Sequence, residues 1–266
     1  MVGWNEKLAE LWLLLTQSPE NFKGGDIWNV MLTIHNTLVG IGYGLLVLFF
    51  AIGLFQSVAS FRDFQRPEFA LRHLIRFILA KTAVGHCMEI MTAIFRICGG
   101  ITATVMGNMS SAVSTAATLP TEIVTAIESL GLLESIPLWL VSLLGSLFIT
   151  VMSFILLLTV YGRFFRLYLF TALSPLPMAS FAGESTSTSG KVFLKSYIAV
   201  CIEGAVIALA CLIYSAFLSS SAPAVDANLP AVTMIWQYIG QLIFNMLILT
   251  GLVRGTDRIV REIFGL

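Results

Sequence analysis

Charged residues are scarce in this 266-residue sequence, in which Asp, Glu, Lys and Arg together make up 11% of the residues. A typical soluble domain has about 25%. Hydrophobic residues make up 57%, and the mean hydropathy is +0.89. This composition excludes an ordinary soluble domain and indicates an integral membrane protein. The net charge is zero, so only the distribution of charges along the chain is informative.

The sequence also lacks the motifs of the common enzyme classes. It contains no GxxxxGK[ST] phosphate-binding loop, no HExxH and no GxSxG. The three histidines, His35, His73 and His86, are too scattered for a metal signature. The four cysteines form no CxxC pair and lie in apolar segments, as buried structural thiols do. We therefore expect no enzyme activity, no cofactor and no metal.

Five long apolar segments each have the length of about 20 residues that a membrane-spanning helix needs. They predict an all-α polytopic membrane protein with spans at 32–59, 78–106, 137–160, 193–218 and 232–253. Residues 1–30 are expected to form an extracytoplasmic amphipathic segment, with a helix suited to lying in the bilayer interface. Residues 31–253 would then form the membrane domain, and residues 254–266 a basic cytoplasmic tail.

The distribution of basic residues predicts the orientation, because cytoplasmic loops are enriched in Lys and Arg. Segments 61–81, 161–195 and 254–266 hold 12 of the 15 basic residues, and segments 108–136 and 219–231 hold none. Five spans with the N-terminus outside and the C-terminus in the cytoplasm satisfy every loop. A sixth span at 166–182 would place one pair of basic residues outside.

The stretch "RFFRLYLFTALSPLPMASFAG" is apolar but is interrupted by Pro175 and Pro177, and Arg163 and Arg166 precede it. Each proline removes a backbone donor and disfavours a helical conformation for the residue before it, here Ser174 and Leu176. Two interpretations stay open. The segment either re-enters the membrane from the cytoplasmic side, or forms an interfacial elbow between two spans.

Several ionisable residues lie within the predicted spans, where charges are costly and face protein or water. Glu203 lies near the middle of the fourth span, either as a pore-lining or ion-coupling group or as a partner for a neighbouring helix. His86, Glu89 and Arg96 form a stripe on the second span that we expect to point inward. Arg96 could instead reach the outer interface, and a pairing of Glu203 with Arg96 or His86 stays open.

Two further features have a functional and a structural interpretation. Gly40 and Gly44 form a GxxxG spacing that permits close helix packing, although glycine is also tolerated in membrane helices. A basic helix at the inner face would attract anionic lipid, or alternatively the phosphates of nucleic acid. Its basic residues are Arg62, Arg66, Arg72, Arg76 and Lys81.

Four stretches of the sequence closely resemble the TrbL-like membrane subunits of conjugative type IV secretion systems, in the group carried by integrative and conjugative elements of Gram-positive bacteria. They are "TQSPENFKGGDIW", "VYGRFFRLYLFTALSPLPMASFAGE", "KSYIAVCIEGAVIALACLIYS" and "DRIVREIFGL". The resemblance implies five spans, an outside N-terminus and a cytoplasmic C-terminus. It also implies a homo-oligomeric channel subunit that works with separate ATPases and other secretion subunits.

The leading hypothesis is a channel subunit of the cytoplasmic membrane, surrounded by lipid and transiently contacted by the transferred DNA–protein substrate. One alternative is a self-contained secondary transporter that uses Glu203 and His86 as a proton relay, although no inverted repeat is evident. Another is an assembly scaffold without a pore.

The charge distribution leads to a prediction of topology. In a variant without the native cysteines, cysteine at Ser111 or Ala227 should react with a membrane-impermeant thiol reagent added from outside. Cysteine at Ser187 should not react, because the positive-inside rule assigns it to the cytoplasm. Labelling of position 187 from outside would contradict the orientation.

Overall fold

The structure, a computed structural model, describes residues 2–58, 67–107, 121–128, 131, 135–220 and 230–266. Arg62, Arg66 and much of segments 108–136 and 219–231 lie outside the described residues. In the described part of the chain all regular structure is helical, and five helices are long and apolar enough to cross a membrane. The prediction of an all-α polytopic membrane protein is confirmed.

The described residues form nine α-helices. They are α1 (Val2–Thr16), α2 (Asp26–Val58), α3 (Pro67–Gly85), α4 (Cys87–Gly107), α5 (Thr121–Glu128), α6 (Ser135–Leu173), α7 (Pro175–Ala179), α8 (Ser187–Ser220) and α9 (Ala231–Phe264). A 3₁₀ turn at Pro19–Gly25 precedes α2, and another at Ser180–Ala182 follows α7. Lys23, Gly24 and Gly25 have positive φ angles, a conformation that glycine adopts most easily.

Helix α6 is longer than the predicted span at 137–160, because it continues through Arg163 and Arg166 to Leu173. At 1.5 Å per residue its 39 residues extend over about 58 Å, more than the hydrocarbon core of a bilayer. Ser174 and Leu176, expected to be extended, are both helical, and Ser174 has φ −53° and ψ −33°. The two prolines therefore interrupt the hydrogen bonding of the helix without ending its helical path.

The chain divides into two compact units. The first unit consists of residues 1–16, 102–162 and 204–258. Its core includes Ile123, Ile235 and Tyr238, with Ile239 and Leu242 packed against them. On α1, Leu11, Leu14 and Leu15 are buried, and the exposed Lys7 pairs with Glu10 at 2.7 Å.

The second unit consists of residues 17–101, 163–203 and 259–266, and helix α2 is its central element. Helices α3 and α4 run antiparallel to α2. The ring centroids of Phe50 and Phe77 are 4.7 Å apart near one end, and Arg96 lies 3.9 Å from Glu20 at the other. Among the described side chains of α2, His35 is the one that is both polar and buried.

Residues 163–183 run parallel to α2 in the second unit. Phe164 stacks on Phe22 with ring centroids 4.3 Å apart, and the Tyr168 hydroxyl donates a hydrogen bond to the Pro19 carbonyl at 2.8 Å. Further along, a Cβ atom placed at Gly42 would lie 3.0 Å from the backbone oxygen and Cβ of Pro175. The proline-containing segment is thus packed along α2 within the protein.

The close approach of Pro175 to Gly42 leads to a prediction. In Gly42→Ala, backbone atoms of the Pro175 region would have to shift, so the free energy of unfolding should fall by about 1–3 kcal/mol. Gly44→Ala is the matched control, because no atom lies within 4 Å of its added Cβ. Denaturation of the detergent-solubilised protein measures both, and equal stabilities would contradict this packing.

Candidate functional site

A buried glutamate of the second unit, Glu203 on α8, forms an ion pair with an arginine on α6. One Arg166 nitrogen, Nη2, donates to both carboxylate oxygens of Glu203, at 2.8 and 2.9 Å. The Glu203 side chain is 1% exposed and that of Arg166 is 28% exposed. The sequence left open a partner for Glu203 on the second span, and the structure pairs it with Arg166 instead.

A second guanidinium, that of Arg163, is buried near the same carboxylate. Arg163 is 2% exposed, and Glu203, Cys98 and Cys201 lie close enough to interact with it electrostatically. Its Nε and Nη1 atoms have no hydrogen-bond partner among the described residues. Its guanidinium carbon lies 5.7 Å from the centre of the Phe164 ring. One partly buried arginine therefore binds the buried carboxylate, a fully buried arginine lies within electrostatic reach of it, and the cluster carries a net positive charge.

The local sequence explains this arrangement. In "RFFR", the two arginines are three residues apart on a continuous helix, so they lie on the same side of α6. The next turn brings Tyr168 to Pro19, and Phe170 to Phe193 with ring centroids 5.5 Å apart. Both contacts anchor α6 to neighbouring elements of the second unit.

The interruption at Pro175 is compensated by His35. Pro175 has no N–H, so the Thr171 carbonyl lacks its helical donor. His35 Nδ1 donates to this carbonyl at 2.9 Å, and the Ser174 hydroxyl donates to it at 2.8 Å. Because Nδ1 carries the proton, His35 Nε2 is an acceptor, and the Cys87 thiol lies 3.3 Å from it as the donor. The carbonyl is thus satisfied inside the protein.

The predicted stripe of His86, Glu89 and Arg96 lies on the surface of the single chain. These side chains are 59%, 78% and 76% exposed, whereas the inward-facing residues of α4 include Cys87, Met91 and Cys98. His86 Nδ1 lies 3.1 Å from Glu89. The stripe therefore does not face the core of the second unit, as the sequence had suggested.

The remaining predicted residues lie apart from the ion pair. No atom lies within 4 Å of a Cβ placed at Gly40 or Gly44, so their role in helix packing stays a prediction. On α3, Arg72 and Lys81 are exposed and Arg76 is partly buried. Arg62 and Arg66 lie outside the described residues.

Sequence reasoning missed His35, Gly42 and Tyr168. The histidine had one available signal, because it lies in an apolar span that has no Asp, Glu, Lys or Arg between residues 32 and 59. No signal in the sequence could have identified Gly42 or Tyr168, because their partners are more than 100 residues away along the chain. Among the described residues no group of three or more His, Cys, Asp or Glu could hold a metal ion.

Comparison with known proteins identifies one family. Residues 4–175, more than half of the chain, match the model of the family described as TrbL/VirB6 plasmid conjugal transfer like protein. The match includes α4, the two arginines and Pro175, and it ends before Glu203. No curated protein and no solved structure matches the chain.

The shared carboxylate leads to an asymmetric prediction. Glu203→Gln leaves the buried Arg163 and the partly buried Arg166 without a nearby counter-charge and should cost about 3–5 kcal/mol of unfolding free energy. Arg166→Gln should cost clearly less, because Arg163 remains near Glu203 to neutralise it. Thermal and chemical denaturation in detergent measures both, with the exposed Glu128→Gln as a control. Equal losses of unfolding free energy for Glu203→Gln and Arg166→Gln would contradict a role of Arg163 as a second counter-charge to Glu203.

Proposed function

The chain belongs to the TrbL/VirB6 plasmid conjugal transfer-like family, and we propose that it is an oligomeric channel subunit through which DNA–protein substrate crosses the membrane. Family membership makes it a component of a conjugal transfer system, and its five long apolar helices make it a multi-pass membrane protein. The channel role, the oligomer and the cytoplasmic membrane as its location are the proposal. Separate ATPases of the system would supply the energy.

One observation carries this proposal: α4 has a polar face that the single chain leaves uncovered. His86, Glu89 and Arg96 are exposed, and Ala93 and Gly100 lie on the same side of the helix. Charged residues within a membrane span face protein or water. An apolar helix that exposes such a face needs a neighbouring subunit or an aqueous conduit to cover it.

Two of the twelve basic residues in the proposed cytoplasmic segments lie on α6 beside Glu203. Arg163 is buried and Arg166 is partly buried within helix α6, so neither is a loop charge. Without them, the proposed cytoplasmic segments still hold ten basic residues, and the proposed outer segments 108–136 and 219–231 hold none. We therefore keep an outside N-terminus and a cytoplasmic C-terminus as the proposed topology.

Among the alternatives, a secondary transporter has no support in the family match. An assembly scaffold without a pore differs from a channel subunit in one accessible property. A scaffold would cover the polar face of α4 with protein, whereas a channel would expose it to water in the assembled complex.

This difference can be measured by cysteine accessibility. In a variant without the native cysteines, Ala93→Cys should react with a water-soluble thiol reagent in the assembled complex, and modification should block DNA transfer. Ile101→Cys is the matched control, because it is exposed on an apolar side of the same helix and is expected to face lipid. Both variants are then assayed for transfer before and after labelling.

Two outcomes would contradict the channel proposal. Protection of position 93 in the assembled complex, with normal transfer, would favour a scaffold. Equal labelling at positions 93 and 101 would mean that the polar face of α4 has no special access to water.

A further inference from the structure

A groove of about 450 Å³ lies between α3, the Ser180–Ala182 turn and the first turn of α8, all within the second unit. Three basic side chains line it, those of Arg72, Arg76 and Lys191. The same groove has apolar walls, which include Ile75, Leu79 and Phe181. Its size falls in the range of small-molecule sites, roughly 300–1,000 Å³. The groove thus combines a cationic lining with an apolar one.

The positive charge of the groove is only partly compensated. Arg76 pairs with Glu184 at 3.3 Å, and this pair is partly exposed. Arg72 and Lys191 are exposed and form no ion pair with any residue in the described ranges. Helix α8 begins at Ser187, which also lines the groove, so the partial positive charge of a helix N-terminus adds to that of the side chains. An anion is therefore the matching ligand.

The apolar walls of the groove favour an anion that also has a hydrocarbon part. Ile75 and Leu79 are large, exposed aliphatic residues on successive turns of α3, the helix that carries Arg72 and Arg76. A single-stranded nucleic acid would need a series of aromatic platforms along a polar track, and only one aromatic residue, Phe181, lines this groove. An amphiphile with a phosphate at one end and a hydrocarbon chain at the other satisfies both linings.

We propose that this groove binds an anionic phospholipid, with its phosphate held by Arg72 and Lys191 and an acyl chain lying along Ile75 and Leu79. Charge-assisted hydrogen bonds would fix the phosphate. The bound lipid would join α3 to the start of α8 next to the turn that follows the proline-containing segment. Binding should therefore stabilise the folded protein by mass action.

The test uses the full chain, purified in a neutral detergent and titrated with phosphatidylglycerol or with phosphatidylcholine of the same acyl chains. Native mass spectrometry counts the retained lipid, and thermal unfolding reports the stabilisation. Phosphatidylglycerol should bind at least tenfold more tightly and raise the Tm, whereas phosphatidylcholine should leave the Tm nearly unchanged.

The variant Arg72→Gln with Lys191→Gln should lose most of this preference, because it removes both uncompensated cations. Its matched control is Lys81→Gln with Lys195→Gln, which removes the same charge from exposed positions on the same two helices outside the groove lining. The control should bind phosphatidylglycerol within twofold of the parent protein. Lys191→Gln alone serves as a milder variant if the double variant is unstable.

Two further titrations distinguish the phospholipid from other ligands that carry a phosphate. Glycerophosphate, which has a phosphate but no acyl chain, should neither bind nor raise the Tm at the concentrations used for the lipid. A 20-nucleotide single-stranded DNA should not displace phosphatidylglycerol. The proposal is overturned if both double variants lose affinity equally, if both lipids bind equally, or if glycerophosphate or the DNA competes with the lipid.

Discussion

The packing of the second unit depends on one backbone carbonyl, that of Thr171. Pro175 cannot donate to it, and an unsatisfied carbonyl in an apolar environment costs free energy comparable to a lost hydrogen bond. The Ser174 hydroxyl supplies one donor from the same segment, His35 supplies another from α2, and the Cys87 thiol on α4 engages the other ring nitrogen of His35. Three helices are therefore joined through a single side chain. The same proline requires a residue without a side chain on α2, which Gly42 provides.

The second unit has one group of buried charged residues and one group of exposed ones. Glu203 and Arg163 are buried and lie within electrostatic reach of each other, because an isolated charge in an apolar interior is very unfavourable. His86, Glu89 and Arg96 are exposed in the single chain, on an otherwise apolar helix. The first group lies in the interior of the second unit. The second group is accessible to a neighbouring subunit or to water in an assembled transfer system. This exposure is the reason for the channel proposal.

Much of the fold could be predicted from composition and periodicity. The number of spans follows from the length and polarity of each apolar segment, a local property of the chain. Helix boundaries were predicted less well near residues 160–183. In a sequence, arginines and prolines usually indicate the end of a membrane-spanning helix. Here the arginines lie next to Glu203, and His35 donates a hydrogen bond to the carbonyl that Pro175 leaves without its helical donor. These compensations come from residues distant in the sequence, so no local pattern reveals them.

The sequence by itself determined that this is a polytopic helical membrane protein, because apolar length alone decides whether a segment can leave water. It also identified Glu203, Arg163, Arg166 and Pro175 as unusual, since each is costly in such a segment. Only the tertiary structure decided which partner each one has and which polar stripe stays uncovered. Hydrogen bonds and ion pairs require atoms within about 3 Å of each other, and helix packing in three dimensions sets those distances.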